Sequence, residues 1–97
     1  MECTLSETLD ISTVLDASTL YQQWLSHNEA LTVDASQVSR VDAAGIQVLT
    51  SLFLTAKRNQ INAELHNPSP TLVDGIEVLG LCPVFNLKTD SGEIGDD

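Results

Sequence analysis

Apolar and polar positions along this 97-residue chain change period several times, and each change marks an element. Cys3 to Glu7 and Leu9 to Val14 read as short strands, with Leu5, Leu9 and Ile11 pointing inward. Leu15, Leu20, Trp24 and Leu25 then recur near the helical period. That spacing predicts a helix begun by Asp16 or Ser18, since either offers a side-chain oxygen to unpaired backbone N–H groups. His27-Asn28 ends it. Leu31-Thr32-Val33 is the next strand, leading through Asp34-Ala35-Ser36 into a turn over Gln37-Val38-Ser39-Arg40-Val41.

The strongest helical signal follows Asp42. Ile46, Leu49, Leu52, Phe53 and Ala56 share one face, Asp42 is the natural N-cap, and Lys57-Arg58 close the last turn where the helix dipole favours cations. Ile61 to Leu65 alternates as a strand, with Ile61, Ala63 and Leu65 on one side. After the turn Asn67-Pro68-Ser69-Pro70, Thr71 caps a helix carrying Leu72, Ile76, Leu79 and Leu81, which Pro83 stops. Val84 to Leu87 is a last short strand.

The predicted order is β-β-α-β-α-β-α-β. Helices between strands require right-handed crossovers, which favour parallel pairing, while the first two strands are close enough for a hairpin. The expected fold is therefore α/β: a mixed, largely parallel sheet of four to five strands, with three to four helices mainly on one face. Residues 1–89 form one domain, and residues 90–97, with four acidic and no basic side chains, form an acidic, frayed tail.

Charge narrows the partners. Four Lys and Arg against 14 Asp and Glu give a net charge of −10, which repels phosphate backbones and anionic lipid. No apolar run approaches the ~18 residues of a membrane span. The opening Met1-Glu2-Cys3-Thr4-Leu5 lacks the basic and apolar regions of a signal peptide, so the cytoplasm is the expected compartment. Cys3 and Cys82 read as free thiols. With His27 and His66 they show no metal-ligand spacing, so no metal or other cofactor is expected.

Catalytic patterns are equally sparse. Gly45, Gly75 and Gly80 are isolated and form no phosphate-cradling loop, and no glycines frame a nucleophilic serine. Gly45, directly after Ala43 and Ala44, reads as a site where the backbone passes close to another part of the protein or to a partner. Asp34 and Asp42 flank one strand-to-helix connection and could act as paired carboxylates. A turn-forming Asp34 and a helix-capping Asp42 account for both more simply. Val48 and Leu54 fall outside the apolar stripe of their helix; they are core-edge residues or extend a docking face beside Ala43, Ala44 and Gln47.

The run from Leu31 to Leu49 resembles the signature of STAS domains, the sulfate-transporter and anti-sigma-factor-antagonist family. That signature is a strand ending in Asp, a short turn, and Asp-Ser-Ser-Gly-Leu opening a helix. Here the strand ends at Asp34 and the helix opens Asp42-Ala43-Ala44-Gly45-Ile46. Leu15-Asp16 and Thr19 match the family's first helix, although Thr13 replaces its usual glycine, and Leu79-Gly80-Leu81 resembles the ending of its last helix. The resemblance implies a cytosolic, non-enzymatic interaction module. In anti-sigma-factor antagonists the second serine of the motif is phosphorylated by the partner kinase. That position is Ala44, so no phosphorylation is expected there, and Ala43 removes the neighbouring candidate.

The expected partner-binding residues are Asp34, Ser36, Ser39, Asp42, Ala43, Ala44, Gly45, Gln47 and Val48, with Ser36 and Ser39 read as turn residues that do not match the switch position. The leading expectation is a module binding a regulatory protein, such as an anti-sigma factor, a kinase-like regulator, or a chemotaxis or two-component protein. One alternative is an accessory subunit docking on the ATPase of an ABC-type lipid transporter. Another is a weak nucleotide-binding domain, which the missing phosphate loop disfavours.

Overall fold

The computed structural model describes residues 1–86. Leu87 and the expected acidic tail lie outside the described residues. Five short strands are present: β1 (Glu2–Thr4), β2 (Thr8–Leu9), β3 (Leu31–Asp34), β4 (Arg40–Val41) and β5 (Ala63–His66). Three helices, α1 (Val14–Ser26), α2 (Ala43–Arg58) and α3 (Pro70–Val78), alternate with them.

The expected α/β architecture is present, and every strand pairing among the described residues is parallel. The strands divide into a three-stranded sheet of order β1-β3-β5 and a two-stranded sheet, β2-β4. The expected hairpin between the first two strands does not form. β1 pairs with β3 and β2 with β4, so each of the first two strands lies beside a later strand and not beside the other. At the start of the β2–β4 pairing the Ser39 and Arg40 N–H groups both donate to the Glu7 carbonyl, at 2.8 and 3.1 Å. The expected turn over residues 37–41 thus ends as strand β4.

The chain turns helical earlier than the spacing predicts. Residues Leu9 to Val14 are not one strand: after Leu9 comes a 3-10 turn, Ile11–Thr13, continuous with α1. Asp10 makes it, its carboxylate accepting from the Ser12 N–H at 3.0 Å while its own N–H donates to Thr13 Oγ1 at 3.2 Å. The buried face of α1 is accordingly carried by Tyr21 and Trp24, whose ring centroids lie 5.1 Å apart, with Ala17 and Leu25 beside them. Ile11 and Leu15, assigned inward from the pattern, are 71% and 82% exposed, and Leu20 is also exposed. Asn28, in the left-handed region at φ 58°, turns the chain out of α1.

Helix α2 is the centre of the molecule. Ile46, Leu49, Leu52, Phe53 and Ala56 are all buried, as the stripe predicts. Each buried large aliphatic removes enough apolar surface from water to stabilise the fold by roughly 1.5–3 kcal/mol. Phe53 meets Phe85 edge-on at 4.8 Å. Thr50 is buried too, and its hydroxyl donates to the Ile46 carbonyl at 2.8 Å. Lys57 and Arg58 occupy the last turn.

Helix α3 is capped by Ser69, not Thr71. Ser69 Oγ accepts from the Leu72 N–H at 3.2 Å, and Pro70 takes the first helical position, where its missing N–H costs no bond. Leu72 and Ile76 are buried, whereas Leu79 is exposed at the helix end. The expected strand after Pro83 is instead a 3-10 turn, Cys82–Phe85, closed by Asn86 at φ 57°. Burial of Phe85 against α2 fixes this turn.

Candidate functional site at the start of helix α2

Asp42 sits in extended conformation just before α2, and both its carboxylate oxygens are committed. Oδ1 accepts from the Gly45 N–H at 2.9 Å, capping α2, and Oδ2 accepts from the Ile11 N–H at 3.1 Å. One side chain therefore satisfies unpaired donors at the start of α2 and at the start of the 3-10 turn before α1. The Gly45 N–H, then those of Ile11 and Ala44, hold the carboxyl below its ordinary 3.8 despite some desolvation. The Asp42 N–H donates in turn to the Leu9 carbonyl at 3.0 Å.

Gly45 is buried against that same segment. A Cβ on Gly45 would run into the Leu9 carbonyl and the Asp10 nitrogen, both backbone atoms. The glycine expected to permit a close approach does so for its own chain, so its small size serves the fold and is not open to a partner.

The remaining expected residues distribute as follows. Asp34 ends β3, with Oδ1 accepting from the Ser36 N–H at 3.1 Å and Oδ2 facing Ser36 Oγ at 3.3 Å, an Asx-type turn. Asp34 is thus bound up in its own turn, and Asp42 in the α2 cap and the bond to Ile11. Ser36 and Ser39 are exposed, and Ser39 Oγ donates to the Glu7 carbonyl at 3.4 Å. Ala43 and Gln47 are exposed, while Ala44 is half-buried. Val48 is half-buried, packed on the core and lining a cleft between α1 and α2 with Tyr21 and Leu25. Leu54 is exposed but lies 11 residues along α2 from Ala43, about 16 Å by helical rise, so it does not extend a face beside the alanines.

The sequence pattern missed the apolar rim of this site. Ile11, whose N–H is bound to Asp42, and Leu15, one turn further on, stand exposed on the α1 side. On the α3 side, Val78 is 83% exposed, and with Leu79 it lines a groove that also includes Asp42 and Ala43. Val78 lies off the Leu72–Ile76 stripe, and that alone could have marked it. The half-buried Asp42 and the alanines therefore lie between two exposed apolar edges. Clusters of this kind mark interaction surfaces more often than scattered single residues do.

Among the described residues, no group of three or more His, Cys, Asp or Glu side chains could hold a metal ion, and no helix is long and apolar enough to cross a membrane. Cys3 is buried, which pushes its thiol up, and Cys82 is half-buried; both are free. No curated protein matches the chain. The family model described as Mlab, STAS domain, matches residues 2–83, nearly the whole described chain, and the α/β order agrees with it. The chain belongs to the STAS domain family, whose members are generally non-enzymatic interaction or regulatory modules.

Proposed function

We propose that this protein is a cytoplasmic, non-enzymatic module that binds a regulatory protein through the start of α2. The observation that carries this reading is the pair of exposed apolar edges, Ile11 and Leu15 on one side and Val78 and Leu79 on the other, around the Asp42-capped helix end. Ala43 and Ala44 keep the ground between them low, so a partner backbone can approach. Neither alanine has a hydroxyl, so the charge of this surface is not set by phosphorylation at Ala44, and regulation acts through the partner or at another position.

A second reading uses the same face: an accessory subunit docked on the ATPase of an ABC-type lipid transporter. It is favoured by the match to the model described as Mlab. The identity of the protein recovered with this chain from native lysate separates the two readings.

The test of the face is Ala43→Trp. Ala43 is exposed at the first position of α2, so stability should change by no more than about 0.5 kcal/mol. Affinity for the recovered partner, measured by calorimetric titration, should fall at least tenfold, because the indole blocks the approach. Leu54→Ala, near the other end of α2, should leave binding unchanged. Full affinity of Ala43→Trp with an intact thermal melt would move the docking face elsewhere.

A further inference from the structure

An open, shallow groove of about 380 Å³ lies between α2 and α3. Gly75 brings α3 close against Ile46 Cδ1 and Val41 Cγ2, which gives the groove an apolar floor. Val78 stands 83% exposed at its edge. Asp74 also lines it, one helical turn before Val78 and therefore on the same face of α3. The two carboxylates of the groove differ. Both oxygens of Asp42 accept backbone N–H groups, whereas the Asp74 carboxylate makes no hydrogen bond or ion pair with any described residue. The groove thus offers one uncommitted negative charge beside an apolar slot.

That pairing selects the occupant. A second copy of this chain would bring its own net charge of −10 against the same surface, and charges in contact lie well inside the ~8 Å screening length at physiological salt. A partner surface with a cation one turn from an apolar side chain would instead fill the slot and neutralise Asp74, and the excess negative charge would steer it in. We propose that the groove receives an amphipathic helix of a basic partner protein, with an apolar side chain on Val41, Ile46 and Val78 and a Lys or Arg against Asp74. This rests on the start of α2 being the docking face and adds the chemistry of what docks there.

The probe is an acetylated, amidated 14-residue helical peptide of Ala, Leu and Lys, with Leu residues one turn apart and Lys beside them. Its counterpart replaces every Lys with Glu. Titrated into the isotope-labelled protein, the Lys peptide should shift amide signals in residues 41–46 and 71–79. The Glu peptide should bind at least tenfold more weakly. Asp74→Lys should weaken the Lys peptide at least threefold and improve the Glu peptide. Equal binding of both peptides, shifts mapped to other elements, indifference to Asp74→Lys, or self-association through these same residues would each overturn the proposal. With the native partner, sensitivity to Ala43→Trp but not to Asp74→Lys would discard the basic helix and keep the docking face. Indifference to both would discard the face itself.

Discussion

Helices α2 and α3 are built from the same parts and behave differently. Each helix is capped by a side-chain oxygen, Asp42 on the Gly45 N–H and Ser69 on the Leu72 N–H, and each presses a glycine against a neighbouring element. Gly45 meets backbone, the Leu9 carbonyl and the Asp10 nitrogen, whereas Gly75 meets the side-chain tips of Ile46 and Val41. Backbone cannot step aside, but a side-chain tip can. The α2 wall of the groove is therefore locked to β2 and the turn after it, and the α3 wall rests on parts that can give.

Gly45→Ala breaks this comparison at its strongest point. In an exposed helix Ala is favoured over Gly by about 1 kcal/mol, so a glycine without a special role would give a higher melting temperature. Here the added methyl has no room. We expect a loss of roughly 3 kcal/mol or more, at the upper end of overpacking costs, and the spread includes failure to fold. Thermal or urea denaturation decides it, and a rise in melting temperature would mean that α2 and β2 are not in contact at this point.

Asp42 carries the next largest effect and adds a pH dependence that Ser69 cannot have. Asparagine at position 42 keeps one acceptor, so it can cap Gly45 but must abandon Ile11, and it loses the charge. Because the folded carboxyl is held below its ordinary 3.8, Asp42 contributes stability that is fully present above about that pH and is lost as pH falls through the lower folded value. The melting temperature of Asp42→Asn should lie several degrees below wild type at neutral pH, and the gap should close below pH 3.8. Glu64, held low first by its hydrogen bond to His66 and next by Asn62, adds its own acid sensitivity, which both proteins share. Ser69→Ala should cost about 1 kcal/mol with no such closing of the gap. A constant difference between Asp42→Asn and wild type down to pH 2.5 would show that its carboxylate holds no backbone donors.

The same contrast explains what could be read from the sequence. α2 was legible because a 16-residue amphipathic helix with one cap and one apolar stripe repeats its signal over four turns. The alternating order of strands and helices and the importance of Asp42 followed from it. The expected hairpin failed because β2 and β4 are two residues long, too short for any period, and parallel partners lie far apart in sequence. Leu15 and Leu20 were placed inside because the capping pair at the start of the 3-10 turn, Asp10 with Thr13, is a weak sequence signal; with it, the core face falls on Tyr21 and Trp24. Gly45 was recognisable as a close-approach residue. That the approaching atom belongs to Leu9, and that Val78 is left uncovered, depends on how α2 meets two distant segments, which no local pattern encodes.

Gly75→Ala should have the smallest effect, and its sign is set by a balance. The new methyl would start 2.5 Å from Ile46 Cδ1 and 3.2 Å from Val41 Cγ2, so Ile46 must move. Ile46 is buried, so its movement strains the core, while the helix-forming gain of Ala over Gly offsets about 1 kcal/mol of that strain. The net change should stay within about 1 kcal/mol, well short of Gly45→Ala. Removing the obstructing methyl makes the comparison sharper. Alone, Ile46→Val should cost roughly 0.5–1.5 kcal/mol by leaving a small cavity. In the Gly75→Ala background the added methyl fills that space, so Ile46→Val should cost little or become stabilising. The two changes should therefore couple by about 1 kcal/mol in a double-mutant cycle read by urea denaturation. Additive effects would place α3 away from Ile46, and the groove floor, with the occupant proposed for it, would lose its basis.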